Sequence, residues 1–185
     1  MLHMAQKDYN LEIVRLLLKN KSHIRDIANK LNINHMMIVR KMNTLTEGNV
    51  VDFKQEGKNK VYFIKKTVEA RMYVLIAEHY ALIQTIKKYP GLRNIIGKIQ
   101  KNKKINLAII FGSYAKWNAK KESDIDIFVE TTSKNIKKEI GFLDSRINVK
   151  IGKYNQNNLL IKEIEKNHLI LKGADIYYEK NTFFN

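Results

Sequence analysis

The chain has 185 residues, room for one medium domain or two small ones, and its 44% of hydrophobic side chains excludes a disordered polymer. It has no cysteine, no apolar run that approaches a bilayer span and no apolar signal-peptide core in residues 1–10; a disulfide framework and a cysteine-ligated zinc are excluded, and a soluble cytoplasmic protein without membrane contact is expected. A formal charge of +16 points to a polyanionic partner, nucleic acid or on a smaller scale a nucleoside triphosphate, yet 13 Lys and Arg stand against 6 Asp and Glu in residues 1–66 and 21 against 12 in the rest, so charge alone does not say which half meets it.

Taken in chain order, residues 11–19 place Leu11, Ile13, Val14, Leu16, Leu17 and Leu18 so that a helix with a broad buried face is expected. Ile24, Ile27, Ala28 and Leu31 continue at helical spacing, and Asn32-Ile33-Asn34 breaks the pattern as a tight turn. Asn34 is placed to cap a further helix that turns Ile38, Met42 and Leu45 inward. After Gly48 the period becomes two: Val51 and Phe53, then Val61 and Phe63, alternate with polar residues around Glu56-Gly57-Lys58-Asn59, which predicts a hairpin.

Helix, helix, turn, helix and hairpin within about 65 residues resembles the winged helix-turn-helix regulators, and residues 23–51 carry the likeness through Ile24, Ile27-Ala28, Leu31, Ile33, Ile38, Met42, Leu45 and Val50. The resemblance implies a DNA-binding domain for double-stranded DNA. A helix that starts near Asn34 fits a major groove, and its early exposed residues, His35, Met36, Val39, Arg40 and Asn43, reach toward base edges. Arg40 is the candidate for a bidentate guanine or phosphate contact. Lys54, Lys58 and Lys60, on or beside the wing tip, are placed to hold phosphates. Met36, Met37 and Val39 depart from the small polar residues common in that family; they suit either thymine methyl groups or another protein surface.

Residues 67–88 read as one long helix with Thr67 as N-cap, closed by Tyr89-Pro90-Gly91, the chain's single proline. Val68, Met72, Tyr73, Val74, Leu75, Ile76, Ala77, Tyr80, Leu82, Ile83 and Ile86 cover more than one face. A helix apolar on several faces is buried on several sides, so either both domains pack on it or it is the seam of a homodimer.

A basic helix over 92–104 is followed by the apolar run 106–111, read as a buried strand that ends at Gly112-Ser113. Ten residues later, Ser123-Asp124-Ile125-Asp126-Ile127-Phe128-Val129 reads as a second strand, with Asp124 and Asp126 on one face and Ile125 and Ile127 on the other. Two carboxylates on one face of an apolar strand are costly unless a cation meets them, and Mg²⁺ suits a few carboxylates together with phosphate oxygens and water. A glycine-serine turn lets backbone N–H groups and a hydroxyl approach phosphates closely.

Gly-Ser, ten residues, then Asp-x-Asp resembles the DNA polymerase β-type nucleotidyltransferases, in particular their minimal branch. The likeness is tight over residues 106–130 and follows element order over 92–178. It implies that Gly112 and Ser113 grip the triphosphate, that Asp124 and Asp126 ligate Mg²⁺ as the catalytic pair, and that a nucleoside monophosphate passes to a hydroxyl acceptor, a partner protein among them. Lys116, Lys120 and Lys121 lie between the motifs, where a solvated loop is expected and phosphate neutralisation is the alternative. The family carries a third carboxylate on its next long strand. Here, after a helix over 133–144, that strand is residues 146–154, whose face holds Asn148 and Lys150 and no acid; a lysine there would neutralise the aspartates directly. Asp144 and Glu130 lie outside the matching place.

In the tail, residues 156–167 read as a polar-faced helix, an apolar run surrounds Gly173, and His168 reads as a helix cap rather than a ligand. The expected architecture is α/β (α+β): a winged helix-turn-helix over 1–66, a linking and dimerisation helix over 67–90, and a nucleotidyltransferase-like mixed sheet with flanking helices over 91–185. Two functions compete. One is a DNA-bound protein that binds Mg²⁺-nucleoside triphosphate and transfers a nucleotide; the other is a transcriptional regulator whose second domain senses a nucleotide or dimerises, which the absent third carboxylate favours.

Overall fold

A computed structural model of the protein describes residues 7–184, so residues 1–6 of the N-terminal stretch read above lie outside the described residues. The described chain divides into two compact units, the first ending at Ala77 and the second running from Glu78 to Phe183.

The first unit opens with helix α1 (Tyr9–Lys19), which starts two residues before its apolar pattern because the Asp8 carboxylate accepts from the backbone N–H of Asn10 at 2.9 Å and of Leu11 at 3.3 Å. Helix α2 (Ile24–Leu31) ends at Asn32 in the left-handed region, φ +52°, and Asn34 then caps α3 (His35–Glu47) by accepting from the Met36 N–H at 2.8 Å. Strands β1 (Val51–Glu56) and β2 (Asn59–Ile64) pair antiparallel, with Glu56 opposite Asn59, so the turn is the two residues Gly57-Lys58. Ser22, between α1 and α2, exchanges two backbone hydrogen bonds with Tyr62 and draws the start of α2 against the hairpin. Ile13, Val14, Leu17, Ile27, Ile38, Met42, Leu45, Val50, Val51 and Val61 form the buried interior; each such side chain stabilises by roughly 1.5–3 kcal/mol. Three helices and a hairpin wing around one core are a winged helix-turn-helix.

Helix α4 (Val68–Lys88) is capped as the sequence indicates: the Thr67 hydroxyl accepts from the Ala70 N–H at 3.2 Å. Ala70, Val74, Ala77, Ala81 and Leu82 are buried, whereas Val68, Met72, Ile76 and Ile83 are 46–75% exposed. The helix therefore keeps an apolar stripe that the other described residues leave exposed.

The second unit adds α5 (Leu92–Lys101), β3 (Ala108–Ile110), the short α6 (Gly112–Ala115), β4 (Ile125–Glu130), α7 (Lys134–Gly141), β5 (Ile147–Gly152), α8 (Leu159–Lys166), β6 (Leu169–Lys172) and α9 (Ala174–Lys180). Its sheet runs β5-β4-β3-β6, with β3 antiparallel to both neighbours and β4 parallel to β5. Several elements are shorter than their apolar patterns suggest, each for a local reason. α5 stops at Lys101 because Asn102 turns its N–H back to Lys98 and Ile99 and accepts from Lys104 N–H. α8 starts at Leu159, where Asn158 caps it, because Asn155 folds the preceding residues into a turn. Ile125, Ile127 and Val129 face a core shared with α5 and α7. Phe128, on the opposite face, is buried too, with its ring centroid 6.3 Å from that of Tyr154. Gly173 sits at φ +78°, and a Cβ there would lie 2.1 Å from the Asn106 carbonyl oxygen, so only glycine lets α9 start this close to the segment entering β3. No helix among the described residues is long and apolar enough to cross a membrane.

Candidate functional site

In the second unit, β3 delivers the chain to Phe111, whose N–H bonds the Asp126 carbonyl at 3.0 Å, and the backbone then turns through Gly112 at φ +69°. A Cβ on Gly112 would stand 2.6 Å from Asp126 Oδ2. The missing side chain is thus what brings a carboxylate against the glycine-serine turn. Ser113 follows, half-buried. Asp124 lies one residue before β4 rather than in it, placed by a turn in which the Ser123 hydroxyl accepts from the Lys120 N–H at 2.8 Å. Asp124 is exposed and Asp126 partly so, which corrects the sequence-based picture of two carboxylates buried on an apolar strand and lowers the penalty expected for leaving them without a cation.

The parallel register decides what faces them. Asn148 stands opposite Asp126, and its Nδ2 donates to Asp126 Oδ1 at 3.0 Å; Lys150 stands opposite Phe128. No ion pair among the described residues joins Lys150 to either aspartate. Asp144 is taken up by Arg146, whose N–H, Nε and Nη2 donate to it at 2.9, 3.0 and 2.7 Å, and these bonds pull its carboxyl down to about 2 from the ordinary 3.8. Glu130, at the far end of β4, accepts from Tyr154 N–H and pairs with Lys180, both at 3.0 Å. No group of three or more His, Cys, Asp or Glu able to hold a metal occurs among the described residues. Carboxylates such as Asp126, against the glycine turn, and Asp124, exposed two residues earlier, are the kind of ligand a hard cation takes together with phosphate and water.

His168 behaves as a cap: its Nδ1 lies 3.2 Å from the Ile164 carbonyl in the last turn of α8. It also joins a network the sequence reading missed. Tyr177 OH is 3.2 Å from the same nitrogen, Nε2 is 3.7 Å from Glu78, and Tyr178 OH donates to Glu78 Oε1 at 2.6 Å. An acid in the middle of the apolar helix α4 was the available signal. Burial pushes the Tyr177 and Tyr154 hydroxyls well above the ordinary tyrosine range.

In the first unit, His35, Met36, Arg40 and Asn43 are exposed on α3 and Val39 is half-buried. His35, Lys58 and Lys60 line one cavity of about 410 Å³, joined there by His23 and Arg25, which the sequence reading did not single out. The Ser22–Tyr62 bridge explains their arrival, and His23 Nδ1 lies 3.0 Å from the Lys60 carbonyl. The Lys60 ammonium rests 3.9 Å over the Phe53 ring. Lys54 is exposed on β1, outside this cavity.

Residues 93–177 match the family described as Polymerase beta, Nucleotidyltransferase. No curated protein matches. Solved structures similar to the chain include the transcriptional repressor BigR from Xylella fastidiosa, 14% identical over 40% of this chain and 73% of that one, TM-score 0.37. The adhesin competence repressor AdcR from Streptococcus pyogenes is 14% identical over 50% and 69%, TM-score 0.41. The homodimeric winged helix-turn-helix DNA-binding domain of Mb0332 from Mycobacterium bovis is 25% identical over 43% and 67%, TM-score 0.32.

Proposed function

We propose, from the premise that residues 93–177 are a nucleotidyltransferase domain of the polymerase β type, that this is a DNA-binding protein whose second unit holds a Mg²⁺-nucleoside triphosphate at Gly112, Ser113, Asp124 and Asp126. The observation that carries the reading is the 2.6 Å gap between Asp126 Oδ2 and the place of a Gly112 Cβ. It supports the reading because it brings Asp126 of the second half of the motif against the Gly112 turn of the first. Gly112 supplies the close backbone approach, the Ser113 hydroxyl a donor to phosphate, and the two aspartates the ligands for the metal. Mg²⁺, when bound, neutralises the phosphates and makes the α-phosphorus open to attack by a hydroxyl. The Asn148 amide holds Asp126 by its Oδ1.

Asn148 also supports a second reading, a regulator whose nucleotidyltransferase domain binds a nucleotide without efficient transfer to a protein or other hydroxyl acceptor. An amide cannot accept the acceptor's proton as a carboxylate does. The two readings part on one substitution. Asn148→Asp adds a third carboxylate beside Asp126, so calorimetric titration with Mg²⁺ should show tighter metal binding than in the parent, and nucleotidyl transfer should rise only if the rest of the site is competent. Unchanged Mg²⁺ affinity in that variant would remove the metal from this face.

In the first unit the proposal assigns His35, Met36, Val39, Arg40 and Asn43 to the major groove and Lys54, Lys58 and Lys60 to phosphates, with His23 and Arg25 added by the shared cavity. The exposed stripe Val68, Met72, Ile76 on α4 suits a homodimer on a two-fold DNA site. Such ligands, and a cysteine-free chain, suit the cytoplasm. Gel shifts with duplex DNA at low salt test the assignment; no duplex affinity there sinks it.

A further inference from the structure

Beside the end of α4, a cavity of about 230 Å³ gathers four cationic side chains that the proposed nucleotide site does not use. Lys88 comes from the last turn of α4, Lys120 and Lys121 from the loop before Asp124, and Arg146 from the edge of β5. The apolar wall is Tyr89 and Tyr114, whose rings meet edge to face at 4.9 Å. Two of the charges are held in place. Lys88 Nζ donates to the Trp117 carbonyl and lies 5.4 Å from the Trp117 ring centroid. Arg146 is fixed by Asp144 and donates from Nη1 to the Lys121 carbonyl at 2.8 Å. A guanidinium has five N–H donors, so these contacts leave part of the fork open. Asp144 and Glu122 are the carboxylates that act on Arg146, and no carboxylate is among the residues lining the cavity beside its four cations. The Tyr89 hydroxyl behind this wall is buried and has no hydrogen-bond partner.

The cavity is not the aspartate site seen from another side. Tyr114 packs in the core with Ile125 and Ile127, and strand alternation turns Asp126 to the opposite face of β4. Its loop, however, starts from Ser113 and ends at Asp124.

We infer that this cavity is a second anion site, built to take a phosphate group without a metal, and that its occupant orders the loop joining the glycine-serine turn to Asp124. Phosphate is the anion the chemistry fits: two or more cations with a fixed guanidinium give multidentate contacts to tetrahedral oxygens. The inference does not depend on the Mg²⁺ reading, and the experiment keeps the two apart.

Trp117 is the only tryptophan and shares Lys88 with the cavity, so its fluorescence reports the site. The full chain is titrated in EDTA with inorganic pyrophosphate, with AMP and with a 5′-phosphorylated oligonucleotide. A saturable change is expected, weakened about tenfold or more in the Lys120→Gln, Lys121→Gln double variant and retained in Asp126→Asn. Response to pyrophosphate or AMP identifies a free phosphate ligand; response to the oligonucleotide alone identifies a nucleic-acid end. No saturable change with any probe, or a change the double variant leaves untouched, overturns the inference. So does a response in EDTA that vanishes in Asp126→Asn.

Discussion

The two surfaces proposed to bind anions, that of α3 and the hairpin and the turn at Gly112, are built by different means. On the first, exposed side chains, Arg40, Asn43 and Lys58 among them, stand on a finished hydrophobic core. At the second, the fold itself is shaped around the site, because a left-handed glycine and a missing Cβ admit the Asp126 carboxylate. The difference teaches where damage goes. A substitution on the first surface should change binding and leave stability alone; one at Gly112 itself should change both.

The largest expected effect is therefore Gly112→Ala. Its φ of +69° costs a non-glycine residue about 1–2 kcal/mol, and its Cβ forces Asp126 to turn away from Asn148. Thermal melts should show a drop of several degrees, and metal-dependent nucleotide binding should be lost with it. Arg40→Ala, by contrast, should weaken binding to a specific DNA site by ~1–3 kcal/mol with an unchanged melting point. Fluorescence anisotropy against specific and scrambled duplexes separates the two. Lys58→Ala should weaken binding to every sequence and reduce the salt slope by about 1. If Arg40→Ala lowered the melting point as much as Gly112→Ala, the comparison would fail.

Smaller effects sharpen it within the second unit. Tyr89→Phe removes the buried hydroxyl that lacks a partner, and the unliganded protein should gain roughly 1 kcal/mol in denaturant unfolding. The Asp144–Arg146 pair gives the smallest. The folded Asp144 carboxyl, at about 2, lies below its ordinary 3.8, so its stabilisation is present above pH ~4 and is lost as pH falls toward ~2. The pair is partly solvated, and its contribution is under about 1 kcal/mol. Asp144→Asn should flatten the acid limb of stability against pH in that window and nowhere else.

Much of this was legible in the sequence because apolar spacing and turn residues act locally. Ile27, Ile38, Met42 and Leu45 mark the first core, and Asn34 and Thr67 announce their helices. The spacing of Gly112-Ser113 and Asp124-x-Asp126 singled out the segments whose Gly112 and Asp126 the fold brings together. What opposes Asp126 was not legible: strand alternation places both Asn148 and Lys150 on the relevant face, and only the parallel register selects Asn148. The cavity that adds His23 and Arg25 to the wing depends on the pairing of Ser22 with Tyr62, 40 residues apart, which no local pattern encodes. Likewise Glu78 looked like one acid in an apolar helix, because its partner Tyr178 lies 100 residues away.

The central claim, that the second unit keeps a metal-dependent nucleotide site, is tested most directly by calorimetric titration of the full chain with ATP, with and without Mg²⁺, beside the Asp124→Asn, Asp126→Asn variant. Both aspartates lie at least partly in solvent, so the variant should fold with near-parental stability. The account predicts heat for the parent only when Mg²⁺ is present and none for the variant; equal heats for parent and variant, or no Mg²⁺-dependent heat from the parent, would contradict it.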